Sequence, residues 1–394
     1  MALDMNKIIR TDYLSIMKQR YQKSDKPERS KILDEFIADS EMHRKSAIRL
    51  LSLKEEKEKK KEKKKGRKKK YDDSELIKYI KTISSTTNNI CSKRLKPILP
   101  VFLPFYEQKY RKLSAHTKEL ITRISPRTID RIFAKWFPQR LKKGLCTTKP
   151  GSLLRKKIPI KTEQWNEKCP GFVEVDTVAH CGGSTLGLYV FSLNFVDIAT
   201  SWMISRAVWG KGQTGILNAI KDIEQTLPFP IRGFDSDNGT EFINDILIRY
   251  LKIRKNPVYQ TRSREYRKND NAHIESKNWS VTRQYFGYER FDKIEIVDLL
   301  NSIYTNEFYF FINFFIPSTK LISKTRVGSK IIKKYDGNKT PFQRVIESDH
   351  VSQKAKNILK AIYENLNPFA LQEVIQQQIK LINKLATPYV ETRK

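Results

Sequence analysis

The sequence is poor in cysteine and has no long apolar run. Its 394 residues include only four cysteines and five histidines, and no two cysteines form a Cys-x-x-Cys pair. This argues against both a zinc module and a disulfide framework. No apolar segment reaches the ~18 residues that a membrane-spanning helix needs, and the N-terminus lacks the apolar core of a signal peptide. These absences predict a soluble protein of the cytoplasm that does not associate with membranes through a spanning helix.

Acidic residues are scarce relative to basic ones. Lysine and arginine number 76 against 43 aspartates and glutamates, which gives a formal net charge of +33. Such an excess repels itself unless a polyanion compensates it. Nucleic acid is therefore the expected partner, an anionic membrane surface is the weaker alternative, and we expect the protein to associate with the nucleoid.

Residues 1–53 contain two short helical patterns that together resemble a helix-turn-helix. The apolar positions of these patterns are Ile32, Leu33, Phe36 and Ile37, then Ala47, Ile48, Leu50 and Leu51. The second helix carries Arg44, Lys45 and Arg49, which could contact DNA phosphates and base edges in a major groove. The alternative is an ordinary helical hairpin with a basic face in solvent.

Residues 54–72 form a basic linker, because Lys54 to Lys70 contain twelve basic and four acidic residues and nothing that could build a core. Residues 73–140 are predicted to be a second helical DNA-binding domain. There, Ser125 is a plausible N-cap, and the helix that follows carries Arg127, Arg131 and Lys135 as candidate DNA contacts. Residues 141–165 are basic, are interrupted by glycine and proline, and are predicted to be a second linker.

Residues 166–290 contain alternating strand and helix patterns. Strands are predicted at Phe172–Val178, Gly187–Val196 and Ser201–Val208, followed by a helix with apolar positions from Ile216 to Leu227. The segment Ile231–Phe242 is predicted to be a short buried strand that ends in two acids, followed by an Asn-Gly turn and a helix that begins near Thr240. Another helix is predicted from about Asn271 to Phe286.

Four acids in this region are candidates for a metal site. Asp235 and Asp237 are two residues apart, so on an extended strand both project from the same face, where they repel each other unless a cation compensates them. Asp176 lies in an apolar strand, where an unpaired carboxylate costs free energy. Glu275 lies near the start of the last helix. The alternative interpretations are an edge-strand acid in solvent for Asp176, a helix cap for Asp237, and an exposed first-turn acid for Glu275.

With these acids in place, residues 165–290 resemble the catalytic core of D-D-E transposases and retroviral-type integrases. The segment Ser236 to Phe242, Ser-Asp-Asn-Gly-Thr-Glu-Phe, is similar to the second-acid motif of that family, and Asn269 to Glu275, Asn-Asp-Asn-Ala-His-Ile-Glu, is similar to the run into its glutamate. The spacing of 38 positions, from 237 to 275, is close to the family's. The helix-turn-helix patterns ahead of the core are similar to those of insertion-sequence transposases. The zinc module of retroviral integrases has no counterpart here.

The resemblance implies an α/β RNase H-like core with a mixed five-stranded sheet and flanking helices, preceded by all-α helix-turn-helix domains. It implies that Asp176, Asp237 and Glu275 are both catalytic residues and ligands of two Mg²⁺ ions, which Mn²⁺ could replace. The expected activity is hydrolysis at the ends of a mobile element, followed by transfer of the 3′ hydroxyl into target DNA. Joining two ends requires at least a dimer.

Several further residues are expected to assist. Asp235 and His273 are possible auxiliary residues, and a basic loop beside the site is expected to bind DNA through Arg262, Arg264, Arg267 and Lys268. Trp279 is expected to be a core residue rather than a platform for stacking bases. The alternative functions are a non-catalytic DNA-binding regulator derived from a transposase and an RNase H-like nuclease.

Residues 291–394 are predicted to be a helical C-terminal region. It has an apolar helical pattern from Ile294 to Phe315, a basic loop from Lys320 to Lys334, and helix starts at Thr340-Pro341 and Asn367-Pro368.

Overall fold

The computed structural model describes residues 5–52, 70–134, 167–263 and 272–388. The chain divides into two compact units, residues 1–69 and residues 70–394. Most of the first predicted linker, all of the second, and Lys135, Arg264, Arg267 and Lys268 lie outside the described residues. None of the helices in the described ranges is long and apolar enough to cross a membrane.

The first unit contains three helices, which are α1 (Met5–Lys23), α2 (Lys26–Ser40) and α3 (Arg44–Ser52). The two predicted helices are present, and α1 packs against both. Helix α2 begins where the Asp25 side chain accepts the N–H of Glu28, and it ends at Glu41 in the left-handed conformation with φ 55°. A small core of buried apolar residues joins the three helices, formed by Met17, Ile32, Leu33, Phe36, Ala47 and Leu51.

The second unit begins with four helices, which are α4 (Ser74–Thr86), α5 (Ser92–Lys109), α6 (Ala115–Arg123) and α7 (Pro126–Phe133). Serine and aspartate caps start three of them. Ser125 accepts the N–H of Thr128 and Pro126 occupies the first helical turn of α7, as the sequence predicts. These helices belong to the same compact unit as the sheet that follows.

The centre of the second unit is a mixed five-stranded sheet in the order β3-β2-β1-β4-β5. Its strands are β1 (Phe172–Ala179), β2 (Val190–Asp197), β3 (Met203–Trp209), β4 (Gly233–Ser236) and β5 (Tyr259–Arg262). The first three strands are antiparallel, whereas β4 is parallel to β1 and β5 is parallel to β4. Strand β1 is therefore the central strand, and this order with flanking helices fits an RNase H-like core.

Helix α8 (Gln213–Thr226) leads from β3 to β4, and helix α9 (Asp245–Lys252) connects the parallel strands β4 and β5. Helix α9 begins five residues later than the sequence predicts, because Asn244 rather than Thr240 caps it and accepts the N–H of Leu247 at 2.9 Å. Helix α10 (Ala272–Lys277) then continues through the π-helical segment π1 (Asn278–Arg283) into α11 (Gln284–Phe286). One continuous helix therefore covers the segment in which the sequence predicts a helix, from about Asn271 to Phe286.

The edge strand β3 is protected by asparagine side chains from the C-terminal helices. Asn301 of α12 (Glu295–Thr305) donates to the carbonyl of Ala207 at 3.0 Å and accepts its N–H at 2.8 Å. Asn313 makes the same pair of bonds with Met203, at 2.7 and 2.8 Å. Both side chains satisfy backbone groups that an edge strand would otherwise leave without partners.

The rest of the C-terminal region is α13 (Glu307–Phe310), the π-helical segment π2 (Phe311–Phe315), strands β6 (Leu321–Val327) and β7 (Lys330–Tyr335), and helices α14 (Pro341–Glu347), α15 (Gln353–Glu364) and α16 (Pro368–Leu385). The predicted basic loop is thus an antiparallel hairpin. Gly328, with φ 60°, supplies the positive φ that its tight turn requires. The Thr340 and Asn367 caps are confirmed.

Candidate active site

Strands β1 and β4 bring four carboxylates onto one face of the sheet. Glu174 and Asp176 alternate with apolar residues on β1, so both point to the same side. The register pairs Glu174 with Asp235, and Asp237 follows at the end of β4. The two acids of the fourth predicted strand therefore lie beside the central strand, although 61 positions separate 174 from 235.

Asp176 is a desolvated carboxylate next to a second one. Burial raises the pKa of Asp176 to about 8, and the Asp237 carboxylate is the next largest cause of the rise. Its Oδ1 accepts the N–H of Thr177 at 2.7 Å, and its Oδ2 accepts Nδ2 of Asn278 at the same distance. Asp176 is therefore on the central strand rather than on an exposed edge, and the Lys211 ammonium partly offsets the rise in its pKa.

The turn after β4 holds Asp237 close to another acid that the sequence analysis missed. The N–H of Gly239 donates to Asp237 Oδ1 at 2.9 Å. A Cβ atom at Gly239 would lie 2.6 Å from Glu241 Oε2 and 2.9 Å from Asp237 Oδ1, so a side chain at this position would displace both carboxylates. Glu241 is only 2 % exposed and forms an ion pair with Lys211. Asp237 thus anchors the turn rather than capping α9.

Glu174 connects the sheet to the helix that carries Glu275. Its Oε2 accepts the N–H of Ile274 at 2.9 Å, within the first turn of α10. Burial holds the pKa of Glu174 well above its ordinary value, and Asp235 raises it further. Asp235 is itself buried and accepts a hydrogen bond from the Thr261 hydroxyl of β5. Sequence reasoning missed Glu174, although its position two residues before Asp176 on the same face of the strand is a signal.

Glu275 follows Ile274 directly and is exposed. Asn278, three residues later and therefore on the same side of the helix, donates to Asp176. Within the described residues, however, no three side chains of histidine, cysteine, aspartate or glutamate lie close enough together to hold a metal ion. The structure brings Asp176 and Asp237 together. Convergence of all three acids stays a prediction.

A polar network that the sequence analysis also missed fixes the position of segment π1. Nδ2 of Asn194 on β2 donates to Asn278 Oδ1 at 2.7 Å and to the Thr282 hydroxyl at 3.0 Å. Ser205 on β3 donates to Asn194 Oδ1 at 2.6 Å. Three neighbouring strands are therefore linked to the helix by hydrogen bonds that end on the Asp176 carboxylate.

The other residues predicted near the site have varied surroundings. Trp279 is 48 % exposed, so the expectation that it is a core residue is wrong: its position in segment π1 turns the indole to solvent. Burial lowers the pKa of the His273 imidazole to about 4. Arg262 is half-buried and donates to Asn238 Oδ1 at 3.2 Å. Of these, Trp279 is the side chain best exposed for contact with a nucleic acid.

The predicted recognition helices keep most of their basic residues in solvent. Lys45 and Arg49 of α3 are exposed, and Arg44 forms an ion pair with Asp34 of α2. Arg127 and Arg131 of α7 are exposed as well. The arrangement leaves these side chains accessible to DNA and does not exclude a solvated basic face.

The strand order fits the RNase H-like sheet that the sequence resemblance implies, and its central strand carries one of the paired carboxylates. No family model matches the chain. The uncharacterized protein y4rM of Sinorhizobium fredii (strain NBRC 101917 / NGR234) is 32 % identical over 351 residues, which cover 87 % of this chain and 97 % of that protein. The chain therefore belongs to the same family as y4rM.

A solved structure gives a much weaker likeness. The catalytic core domain of BIV integrase aligns over 46 % of this chain and 96 % of its own, with 13 % identity and a TM-score of 0.28. A TM-score this low supports no conclusion about fold or function. The assignment of the sheet rests on its own strand order and register.

Proposed function

We propose that the protein is a DNA transposase of the D-D-E type, which hydrolyses phosphodiester bonds at the ends of a mobile element and transfers the 3′ hydroxyl to target DNA. The observation that carries this proposal is the desolvated Asp176 carboxylate on the central strand, next to the Asp237 carboxylate at the end of the adjacent strand. The helix that bears Glu275 is hydrogen-bonded to the same strand through Glu174 and Asn278.

The donor chemistry fits divalent metal ions. A carboxylate whose pKa is raised by burial and by a second carboxylate is stabilised in its charged form by a cation, and Mg²⁺ prefers such oxygen ligands. Asp176, Asp237 and Glu275 would hold two Mg²⁺ ions, with Mn²⁺ as a substitute. When bound, such ions activate the attacking oxygen and stabilise the leaving oxygen of phosphodiester chemistry.

Neighbouring residues have separate tasks in this proposal. Asn278 fixes one oxygen of Asp176 and leaves the carboxylate only a narrow range of orientations. Gly239 does the same for Asp237 through its N–H. Lys211 neutralises Glu241, so this fourth acid does not add an uncompensated charge to the site. Asp235 and His273 would act indirectly, through the positions of Glu174 and α10.

DNA is the proposed partner because the net charge of +33 needs a polyanion and the helices of the N-terminal half present exposed arginines. Transfer of two element ends also requires self-association to at least a dimer during the reaction. A DNA-binding regulator without catalysis is the second candidate. It is favoured by the lack of a three-ligand cluster among the residues that the structure describes.

A strand-transfer assay separates the two candidates. Labelled DNA from either side of the coding region is incubated with the purified protein and Mg²⁺ or Mn²⁺, and nicked and joined products are resolved. Asp237→Asn and Glu275→Gln should each abolish joining and retain DNA binding, whereas Asp298→Asn, at an exposed acid of α12, should be fully active. Joining by either active-site variant would exclude the catalytic assignment, and binding without cleavage by the wild type would favour the regulator.

A further inference from the structure

The helix that carries Glu275 also borders a cavity of about 260 Å³. It contacts Asp176 through Asn278 and lines the cavity through Ser276, Lys277 and Ser280. Arg94 of α5 and Lys333 of β7 complete the cationic part of the lining. No aspartate or glutamate is among the described residues that line it.

The chemistry of this lining is that of a site for a multiply charged oxyanion. Three cations and several hydroxyl groups face one small volume, and each can donate hydrogen bonds to phosphate oxygens. The described lining residues include no carboxylate that could neutralise these cations. An anion of appropriate size would do so.

Lys277 is the residue that most needs such an anion. It is 6 % exposed, and its Nζ has no hydrogen-bond partner among the residues the structure describes. Burial lowers the pKa of this amine to about 7, and a bound anion would stabilise its charged form. Arg94 is half-buried, and its Nε donates to the carbonyl of Pro317 at 2.6 Å, which fixes the guanidinium at the cavity wall.

The hairpin β6–β7 indicates where the anion comes from. Lys333 and Tyr335 of β7 line the cavity. Residues 321–335 contain five lysines and arginines and no acid, and every residue of β7 is exposed. A two-stranded ribbon of this kind can enter the major groove of DNA. A DNA backbone that follows the hairpin would therefore reach the cavity at Lys333.

We propose that this cavity binds a phosphate group of the DNA backbone, with Lys277 as its central ligand and Arg94 and Lys333 beside it. The proposal rests on the proposed function only for the identity of the polyanion, since it requires no cleavage. It adds a DNA contact to α10 and segment π1, on a different side from the one that contacts Asp176 through Asn278. DNA bound there would stabilise α10 and segment π1 from the side away from Asn278.

The test measures DNA affinity without divalent metal, so that its outcome does not depend on catalysis. Lys277→Met keeps the length of the side chain and removes the charge. We expect about tenfold weaker binding in fluorescence anisotropy and a salt-dependence slope smaller by about 0.9, as for the loss of one phosphate contact. Lys333→Met, at the exposed rim of the cavity, should also weaken DNA binding and reduce the salt-dependence slope. Lys354→Met, at an exposed site on α15, should bind DNA like wild type.

Thermal unfolding distinguishes this role from a purely structural one. Removal of a buried, unpartnered charge should leave the melting temperature of Lys277→Met unchanged or higher, although its DNA binding falls. Wild-type affinity and slope in both Lys277→Met and Lys333→Met would overturn the proposal. Stabilisation of the wild type by inorganic phosphate, absent in Lys277→Met and without any change in DNA affinity, would also overturn DNA as the source.

Discussion

Glu174 is predicted to hold the first turn of α10 from strand β1. Its buried Oε2 accepts the N–H of Ile274 at 2.9 Å. Glu174→Ala removes this acceptor and leaves a buried N–H without a partner, which costs about 1–3 kcal/mol. The loss is of the size expected when a helix N-cap is removed, about 1 kcal/mol. Because Glu275 is the next residue along the helix, we expect it to lose its fixed position.

The matched replacement is Glu174→Gln. The glutamine amide keeps an oxygen that can accept the N–H of Ile274, and it removes one potential charge from the buried pair with Asp235. Burial raises the pKa of Glu174 well above its usual range, which means that burial favours the neutral form, and the glutamine amide is neutral as well. We therefore expect stability equal to or above that of wild type, with strand joining close to normal. Glu174→Ala should join strands at least tenfold more slowly.

Hydrogen exchange followed by mass spectrometry measures the effect directly. Peptides that cover α10 and segment π1 should exchange about tenfold faster in Glu174→Ala, which corresponds to a loss of about 1.4 kcal/mol in local stability. Glu295→Ala, at an exposed first-turn acid of α12, serves as the control. Unchanged protection of α10 in Glu174→Ala, or equal damage in Glu174→Gln, would refute the proposed anchoring.

Three further predictions concern the site. The raised pKa of Asp176, about 8 in the folded protein, means that the stability of the metal-free protein should fall as pH rises from about 4 to 8. Thermal unfolding in EDTA should show this fall, Mg²⁺ should reverse it at pH 8, and Asp176→Asn should remove both effects. Gly239→Ala should slow strand joining, because its Cβ would lie 2.6 Å from Glu241 Oε2 and 2.9 Å from Asp237 Oδ1 and would displace both carboxylates. Gly215→Ala, with no atom within 4 Å of its Cβ, should be more stable than wild type by about 0.5–1 kcal/mol, and equal activity of the two variants would contradict the proposed displacement. Trp279→Ala should weaken binding of single-stranded DNA about tenfold at an unchanged melting temperature, and unaltered affinity in a filter-binding assay would exclude stacking on this exposed indole.

Much of the fold was predictable because its signals are local. Ser125-Pro126, Thr340-Pro341 and Asn367-Pro368 start helices where the sequence predicts, since a cap and a proline act within one turn. The first three strands also lie close to their predicted positions. The sequence predicts a basic loop where the structure has the hairpin of residues 321–335, although Gly328 between two β-rich runs is a hairpin signal.

Exposure was harder to predict than secondary structure. Trp279 lies on a helix whose apolar pattern does not reveal the change in side-chain direction that a π-helical segment introduces. Glu241 lies inside the recognised acidic motif, yet its burial against Lys211 depends on the loop after β3. The spacing of residues along the chain predicts neither the exposure of Trp279 nor the burial of Glu241, because residues distant in sequence determine both.

By itself, the sequence determined which residue types are available: a large positive charge, alternating strands and helices, and acids at the ends of apolar segments. These properties depend on composition and on interactions within a few residues. Only the tertiary structure decided which acids meet. The parallel register of β1 and β4 pairs Glu174 with Asp235 and brings Asp237 to Asp176, because the α8 crossover and the core beneath the sheet fix how far one strand can slide past the other.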